Sequence, residues 1–345
     1  MAAAERWARN LRGHAGAGGG MAGAMTLGEY LAEYVELKVE PVLSPATARQ
    51  YRFYAAAYVS HELEHRPLAD VHPVDVQRLY AELLRRRELS RSTVASFDTF
   101  LHGAFAHAVA QGYIDVNPMA GVSAPHAETA EAESLDFETA AWVRAELERV
   151  FDIGSVAALI ALGTGLRRGE VCGLVWANFD ADGTTLRVAT QIVHGTGGLA
   201  RKRPKSASGR RTVTLSGRDT AWLRSWRVRQ RDMLAALDVE QTATTPVVSV
   251  TGGVTSPNDL DRAWAETRER LGLPDTVGFH ALRHTHVAMC LANGVDIMTV
   301  SHRLGHSKAS TTLDLYGHMM PGSDSAAADA LEMAMKWDGD EGELV

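Results

Sequence analysis

Cysteine is nearly absent from this chain, with Cys172 and Cys290 alone among 345 residues. Both fall in apolar helical patterns, so they read as reduced core residues of a cytoplasmic protein, and a disulfide framework is excluded. No stretch of about 18 apolar residues is present, and no segment is expected to cross a membrane. The first 25 residues hold three arginines and a Gly/Ala-rich run but no compact apolar segment, which argues against a signal peptide. Lysine is scarce too, five against thirty arginines, so each lysine is informative where it does occur. An excess of positive charge is also missing, the net charge being -7.

That acidity is concentrated. Glu128, Glu131, Glu133, Asp136, Glu138, Glu146 and Glu148 surround the single base Arg144, and the tail sets Asp324, Asp329, Glu332, Asp338, Asp340, Glu341 and Glu343 against Lys336. These two stretches hold 14 acids and two bases, which leaves 28 acids and 33 bases elsewhere, a net of +5. Nucleic acid responds to a local patch and not to net charge, so the composition permits a DNA-binding surface without arguing for one. A hydrophobic content of 46% and a length sufficient for two domains are those of an ordinary globular protein.

Residues 1–25 are low in complexity and are expected to form a disordered extension, with Met21 or Met25 as alternative starts. Four amphipathic helices should follow. Thr26 caps the first, ahead of Leu27, Tyr30, Leu31, Tyr34 and Val35 at three- and four-residue spacing. Ser44-Pro45 opens the second, which runs to about Tyr58, and His72-Pro73 opens the third. The fourth begins near Ser90, aligns Val94, Phe97, Leu101, Ala104 and Ala108, and ends at Gly112, with Asn117-Pro118 beyond it. Residues 26–119 are thus expected to be a small helical bundle, and 120–134 an acidic linker with little core-forming potential.

A second domain is expected over 135–321. It has helical patterns over Phe137 to Phe151, Ser155 through Leu174, Thr220 to Leu237 and Ser256 to Leu271. Asp182-Gly183 signals a hairpin, and Leu186 to Val193 and Thr212 to Leu215 read as strands joined by a basic loop. The fold class is therefore mainly α with a small antiparallel β-sheet. The tail, 322–345, has the pattern of one short marginal helix.

The chemistry gathers between His280 and Met320. A His-x-x-Arg pair (His280, Arg283) is followed by a Leu-Gly-His turn ending at His306, and Tyr316 comes ten residues later; a pair of arginines stands upstream in TGLRRGE, Thr164 to Glu170. Attack on a phosphodiester needs a nucleophilic oxygen, charge to stabilise a pentavalent transition state, an acid for the leaving oxygen, and alignment. Arginine's planar fork donates to two non-bridging oxygens and keeps its charge. Imidazole moves protons near neutrality. A phenol, with an ordinary pKa of about 10, attacks once its proton is removed or its oxygen is held by cations.

Taken singly, each of these residues also has a structural reading: an ion-paired arginine, a core histidine, a packed tyrosine. Tyr51, Tyr54, Tyr58, Tyr80 and Tyr113 lie in the helical bundle without such company. The pairs His280/His284 and His302/His306 have the spacing of zinc ligands on a helix, but neither encloses the glutamate of His-Glu-x-x-His and nothing completes a shell. No metal site is expected, and His284 is assigned to packing or backbone hydrogen bonding. The loop RKRPKSASGRR offers Arg201, Lys202, Arg203, Lys205, Arg210 and Arg211 as cations to coat DNA phosphates.

In combination and in this order, the residues resemble the tyrosine recombinase (phage integrase) family over roughly residues 26 to 320. Gly165-Leu166-Arg167 is similar to the family's Gly-Leu-Arg, which favours Arg167 over its neighbour Arg168. The resemblance implies a helical core-binding (SAM-like) domain, closing on GYIDVNPM, followed by an α+β catalytic domain. It implies Tyr316 as the nucleophile, Arg167 and Arg283 on the phosphate, His280 assisting proton transfer as the base toward Tyr316, and His306 on a non-bridging oxygen. Glu170 would orient the site. PKSASGRR resembles the family's Pro-Lys-x-x-x-Ser phrase and would make Lys205 the general acid, with Lys202 a competitor.

The implied function is site-specific DNA recombination of the integrase or excision type through a 3′-phosphotyrosine, without ATP, metal or other cofactor. The implied partners are double-stranded DNA held in a C-shaped clamp and a homo-tetramer formed on it from a monomer or weak oligomer. Accessory DNA-bending or directionality factors are further partners, and the tail would dock on a neighbouring protomer. No arm-binding domain is expected ahead of residue 26. Three alternatives stay open at this point: a type IB topoisomerase-like enzyme, a non-catalytic DNA-binding regulator, and a metal-dependent nuclease.

Overall fold

The computed structural model describes residues 25–125, 134–195, 198–204, 208–306 and 308–316, together with Ala328, Leu331, Glu332, Met333 and Met335. The chain divides into two compact units between Thr129 and Ala130.

The first unit is built from α1 (Leu27–Tyr34), α2 (Pro45–Ala57), α3 (Pro73–Arg86) and α4 (Arg91–Ala110). Local chemistry starts each helix. The Thr26 hydroxyl accepts from the Glu29 N–H while the Glu29 carboxylate accepts from the Thr26 N–H, a reciprocal cap. Ser44 and Ser90 cap α2 and α4 in the simpler way, and proline occupies the first turns of α2 and α3. Phe97, Phe100 and Leu101 of α4 are fully buried against Tyr54 and Tyr80. These two tyrosines are core residues, and Tyr80 donates to Asp98 at 2.8 Å. Val122 also packs into this core, so the bundle reaches into the stretch expected to be linker.

The second unit is organised around α6 (Ile153–Thr164), which follows α5 (Phe137–Leu147) and is apolar and buried on nearly every side. It packs against α5, α9 (Pro257–Arg270) and α10 (Phe279–Ala292). Each fully buried leucine or valine here contributes about 1.5–3 kcal/mol. Trp226, on α8 (Gly217–Ala235), and Trp264 are buried whole, their indole N–H groups donating to the Val247 and Val277 carbonyls at 2.9 Å.

The single helix expected from Ser155 through Leu174 is two. Gly165 adopts φ +70 in the left-handed region and ends α6, and the chain restarts as α7 (Arg168–Cys172) with Arg167 at its N-cap. The apolar pattern continues through the break, so periodicity alone does not reveal it. A Cβ on Gly165 would lie 2.8 Å from His286 Cδ2 and 2.9 Å from Leu304 Cδ2. Gly165→Ala should therefore cost more than the about 1–2 kcal/mol of a left-handed backbone alone, lowering the thermal midpoint. An unchanged midpoint would show that the turn tolerates a side chain.

The strands are antiparallel, as expected, but their extents and number differ. β1 (Thr185–Val188) pairs antiparallel with β4 (Arg211–Thr214), and β2 (Gln191–Gly195) pairs antiparallel with β3 (Gly198–Lys202), so the strands form two ribbons. The expected run Leu186 to Val193 breaks at Ala189-Thr190, and part of the basic loop is strand. The corner is pinned by side chains: the Thr190 hydroxyl and the Arg201 guanidinium both donate to the Gly173 carbonyl, at 3.0 and 2.6 Å. Two short helices, α11 (Ile297–Leu304) and α12 (Ala309–Tyr316), complete the unit. Cys172 and Cys290 are free thiols. Among the described residues no helix is long and apolar enough to cross a membrane.

Candidate active site

The α10 helix presents Leu282, Val287 and Leu291 to the interior, and on the same buried side it carries Arg283. Only 2% exposed, Arg283 donates to the Gly165 carbonyl at 2.5 Å, to the Leu304 carbonyl at 3.1 Å and to His306 Nε2 at 2.8 Å. Burial and the neighbouring Arg167 push its pKa down to about 9, which leaves it charged at neutral pH. Arg167 reaches the same Leu304 carbonyl at 3.4 Å. Its neighbour Arg168 turns outward and pairs with Asp261. The two guanidiniums that converge are thus Arg167 and Arg283.

Glu170 holds Arg167 through both its N–H, at 3.0 Å, and its guanidinium, at 3.3 Å. It is itself held by Arg211, whose two terminal nitrogens donate to the two carboxylate oxygens at 3.1 and 3.0 Å. The side chains of this pair are 1% and 3% exposed. Burial works to raise the Glu170 pKa, but the hydrogen bonds and charge of Arg211, with those of Arg167, outweigh it and hold the carboxyl below its usual value. Arg211 also donates to the Arg303 carbonyl at 2.5 Å.

Arg211 is therefore a buried strut, not one of the surface cations grouped with it in the sequence. Replacing it with alanine would strand a buried carboxylate, at a cost of about 3–5 kcal/mol. Since the Glu170 pKa is depressed, that contribution is complete above the ordinary value of 4.5 and is lost as pH falls through the lower folded value. Thermal unfolding of Arg211→Ala at pH 7 checks this. A variant that keeps its midpoint and loses only salt-dependent DNA affinity would instead make Arg211 a phosphate contact.

A second left-handed glycine, Gly305 with φ +68, ends α11 and turns the chain back to present His306. His306 accepts from Arg283 at Nε2, so its proton sits on Nδ1, which faces the Thr312 hydroxyl at 2.8 Å. Burial, then Arg283, Arg167 and Arg211, lower its pKa to about 4. At neutral pH it is a neutral acceptor.

Tyr316, 1% exposed, packs with Val287, Leu291, Val300 and Leu304. Its phenol hydrogen-bonds to His284 Nδ1. Burial raises its pKa to about 12, against the opposing pull of Arg283 and Arg167, both close enough to act on it. His280 stands at the exposed rim, edge-on to His284 with ring centroids 4.7 Å apart. Desolvation by the surrounding protein, followed by His284 and the arginines 283, 167 and 168, lowers its pKa to about 4.

Arg167, Glu170, Arg283, His306, Tyr316 and, at the rim, His280 are thus brought together. Arg201, Lys202 and Arg203 are exposed on or next to β3, Arg201 being tied to the Gly173 carbonyl, and Arg210 is exposed just ahead of β4. Lys205 lies outside the described residues, as does most of the tail. Three contributors escaped sequence reasoning: Thr312, Arg211 as a strut, and His284. The last had a signal, since it lies four residues from His280 on one helical face. No group of three or more histidine, cysteine or acidic side chains able to hold a metal occurs among the described residues.

Fixed guanidinium charge beside a phenol whose hydrogen bond ends on an imidazole equips this domain for phosphoryl transfer through tyrosine. Comparison with known proteins names the family. Residues 152–321 match the phage integrase family. The tyrosine recombinase XerC-like protein of Caldanaerobacter subterraneus subsp. tengcongensis is 28% identical, the match covering 89% of this chain and 83% of the relative. The tyrosine recombinase XerC of Escherichia coli O1:K1 is also 28% identical, over 82% of this chain and 89% of the relative.

Among solved structures, the Tn1549 transposon integrase in complex with a circular intermediate DNA shares the fold with a TM-score of 0.75 at 20% identity, over 90% of this chain and 99% of that one. A lambda integrase dimer bound to a core site shares it with a TM-score of 0.60 at 17% identity, over 87% of this chain and 99% of that one. Residues 152–321 are thus a phage integrase family domain, and the function is that of a site-specific recombinase, a DNA strand transferase.

Proposed function

We propose that this protein cuts and rejoins double-stranded DNA through a 3′-phosphotyrosine on Tyr316. The convergence of Arg167 and Arg283 on one carbonyl beside the Tyr316 phenol is the observation that supports this most. Two forks meeting at one oxygen suit a non-bridging phosphate oxygen, and fixed charge there stabilises the pentavalent transition state without reorganisation. An incoming phosphodiester takes over the donors of Arg283 now spent on His306. His306, relieved of Arg283 and beside an anion, then gains a proton at Nε2 and donates to the phosphate. Glu170 and Arg211 keep Arg167 in place.

Lys205 supplies the proton to the departing 5′ oxygen, and Arg201, Lys202, Arg203 and Arg210 contact neighbouring phosphates. The phosphotyrosine conserves the energy of the broken bond, so religation needs neither ATP nor a metal. Residues 26–119 act as the core-binding domain and 135–321 as the catalytic domain. The active assembly is a homo-tetramer on DNA in the cytoplasm, linked through the tail, with accessory DNA-bending factors setting direction.

A nicked suicide substrate, carrying attachment-site DNA taken from the sequence flanking the gene, tests this. The expected outcome is a covalent protein–DNA adduct with a free 5′ hydroxyl, and recombinant product when two sites are paired. Relaxation of supercoils without pairing would favour a type IB topoisomerase-like enzyme, and binding without adduct a regulator.

A further inference from the structure

The sequence points to His280 as the base toward Tyr316, yet among the described hydrogen bonds the phenol's partner is His284. The Tyr316 hydroxyl meets His284 Nδ1, and the two rings lie 5.4 Å apart at 48°. His280 lies edge-on against His284, ring centroids 4.7 Å apart. We propose that His284 is the catalytic base for Tyr316, accepting the phenolic proton through Nδ1 as the tyrosine oxygen bonds to phosphorus. This rests on the assignment of Tyr316 as nucleophile.

The geometry serves the chemistry in two ways. An O–H aimed at the imidazole leaves the lone pairs of the phenolic oxygen free to face phosphorus. The acceptor role of Nδ1 also fixes the tautomer, with the ring proton on Nε2. The groups facing His284 are His280 and Arg283 from its own helix and Tyr316 from α12. Its half-burial, then Arg283, hold its pKa below the usual histidine value, so it is neutral and able to accept at neutral pH. The phenol, raised to about 12 by burial, keeps its proton in the resting state. Transfer accompanies bond formation and does not precede it.

In the cleavage step the Tyr316 oxygen–phosphorus bond forms and the phosphorus–5′ oxygen bond breaks. The phenolic proton passes to His284, giving an imidazolium, and the 5′ oxygen takes a proton from the general acid. In religation the 5′ hydroxyl gives its proton back to the group that served as general acid and attacks phosphorus, the tyrosine–phosphorus bond breaks, and His284 returns its proton to the departing phenolate. One imidazole acts as base in the first half and acid in the second.

The test is single-turnover adduct formation on the suicide substrate from pH 5 to 10, for the full-length protein and for His284→Ala, His284→Asn and His280→Ala. The asparagine amide oxygen can accept the phenol's hydrogen bond but cannot take its proton, which separates holding from proton transfer. The wild-type rate is expected to be flat through neutrality and to fall only on the acid side, below the ordinary histidine value of about 6.5. Both His284 variants should be slower by about 10²–10⁴-fold at pH 7, with rates climbing tenfold per pH unit toward the range where the phenol ionises unaided. His280→Ala should keep the flat profile.

A flat profile in a His284 variant overturns the proposal, as does a wild-type rate in His284→Asn or a climbing profile in His280→Ala. Retained DNA binding establishes that a slow variant is folded; should His284→Ala fail this check, His284→Asn decides alone. Failure of the underlying assignment has a separate signature, which overturns both: no wild-type adduct, or an adduct on Tyr316→Phe.

Discussion

Arg283→Lys is expected to slow strand cleavage by about 10³-fold or more, in line with losing a transition-state guanidinium. Lysine keeps the charge but not the fork. Arg283 spans the Gly165 carbonyl, the Leu304 carbonyl and His306 from a position only 2% exposed. A single ammonium on a flexible stem cannot meet all three, and each buried carbonyl left unpaired costs about 1–3 kcal/mol. The variant should therefore melt earlier as well as cleave more slowly. Single-turnover cleavage on the suicide substrate and thermal unfolding measure the two effects. Cleavage within tenfold of wild type would mean that point charge suffices and that the two-arginine geometry is not the source of catalysis.

Tyr316→Phe should abolish the covalent adduct while leaving DNA binding unchanged. The substitution removes one hydroxyl from a ring 1% exposed and already packed against Val287, Leu291, Val300 and Leu304. Loss of the hydrogen bond to His284 costs about 1 kcal/mol, too little to unfold the domain. Gel retardation and denaturing electrophoresis on the same samples separate binding from chemistry. A phenylalanine variant that still forms adduct would move the nucleophile elsewhere.

The parts of this architecture that are written locally could be read in advance. Thr26, Ser44 and Ser90 each satisfy an N–H of the helix they start, and the side chain that does so stands beside it in sequence. The chemistry asks for the residue types of Arg167, His280, Arg283, His306 and Tyr316, and the resemblance to the family picked these out by their order. What escaped depends on contacts between distant segments. Gly165 interrupts an apolar pattern that runs on past it, and the reason lies in His286 and Leu304, more than a hundred residues away. Arg211 sits in a run of cations, and only the fold shows that Glu170 needs it inside. His284 shares a helical face with His280, but only the phenol that α12 places on it sets it apart from a packing histidine.

The account stands on one phenol serving as the attacking group within this cluster, and the link itself can be located. Trapped adduct, trimmed with nuclease and digested with protease, would be sequenced by tandem mass spectrometry. The predicted result is a nucleotide joined by its 3′ phosphate to Tyr316. A nucleotide on any other residue, or one joined through a 5′ phosphate, would contradict it.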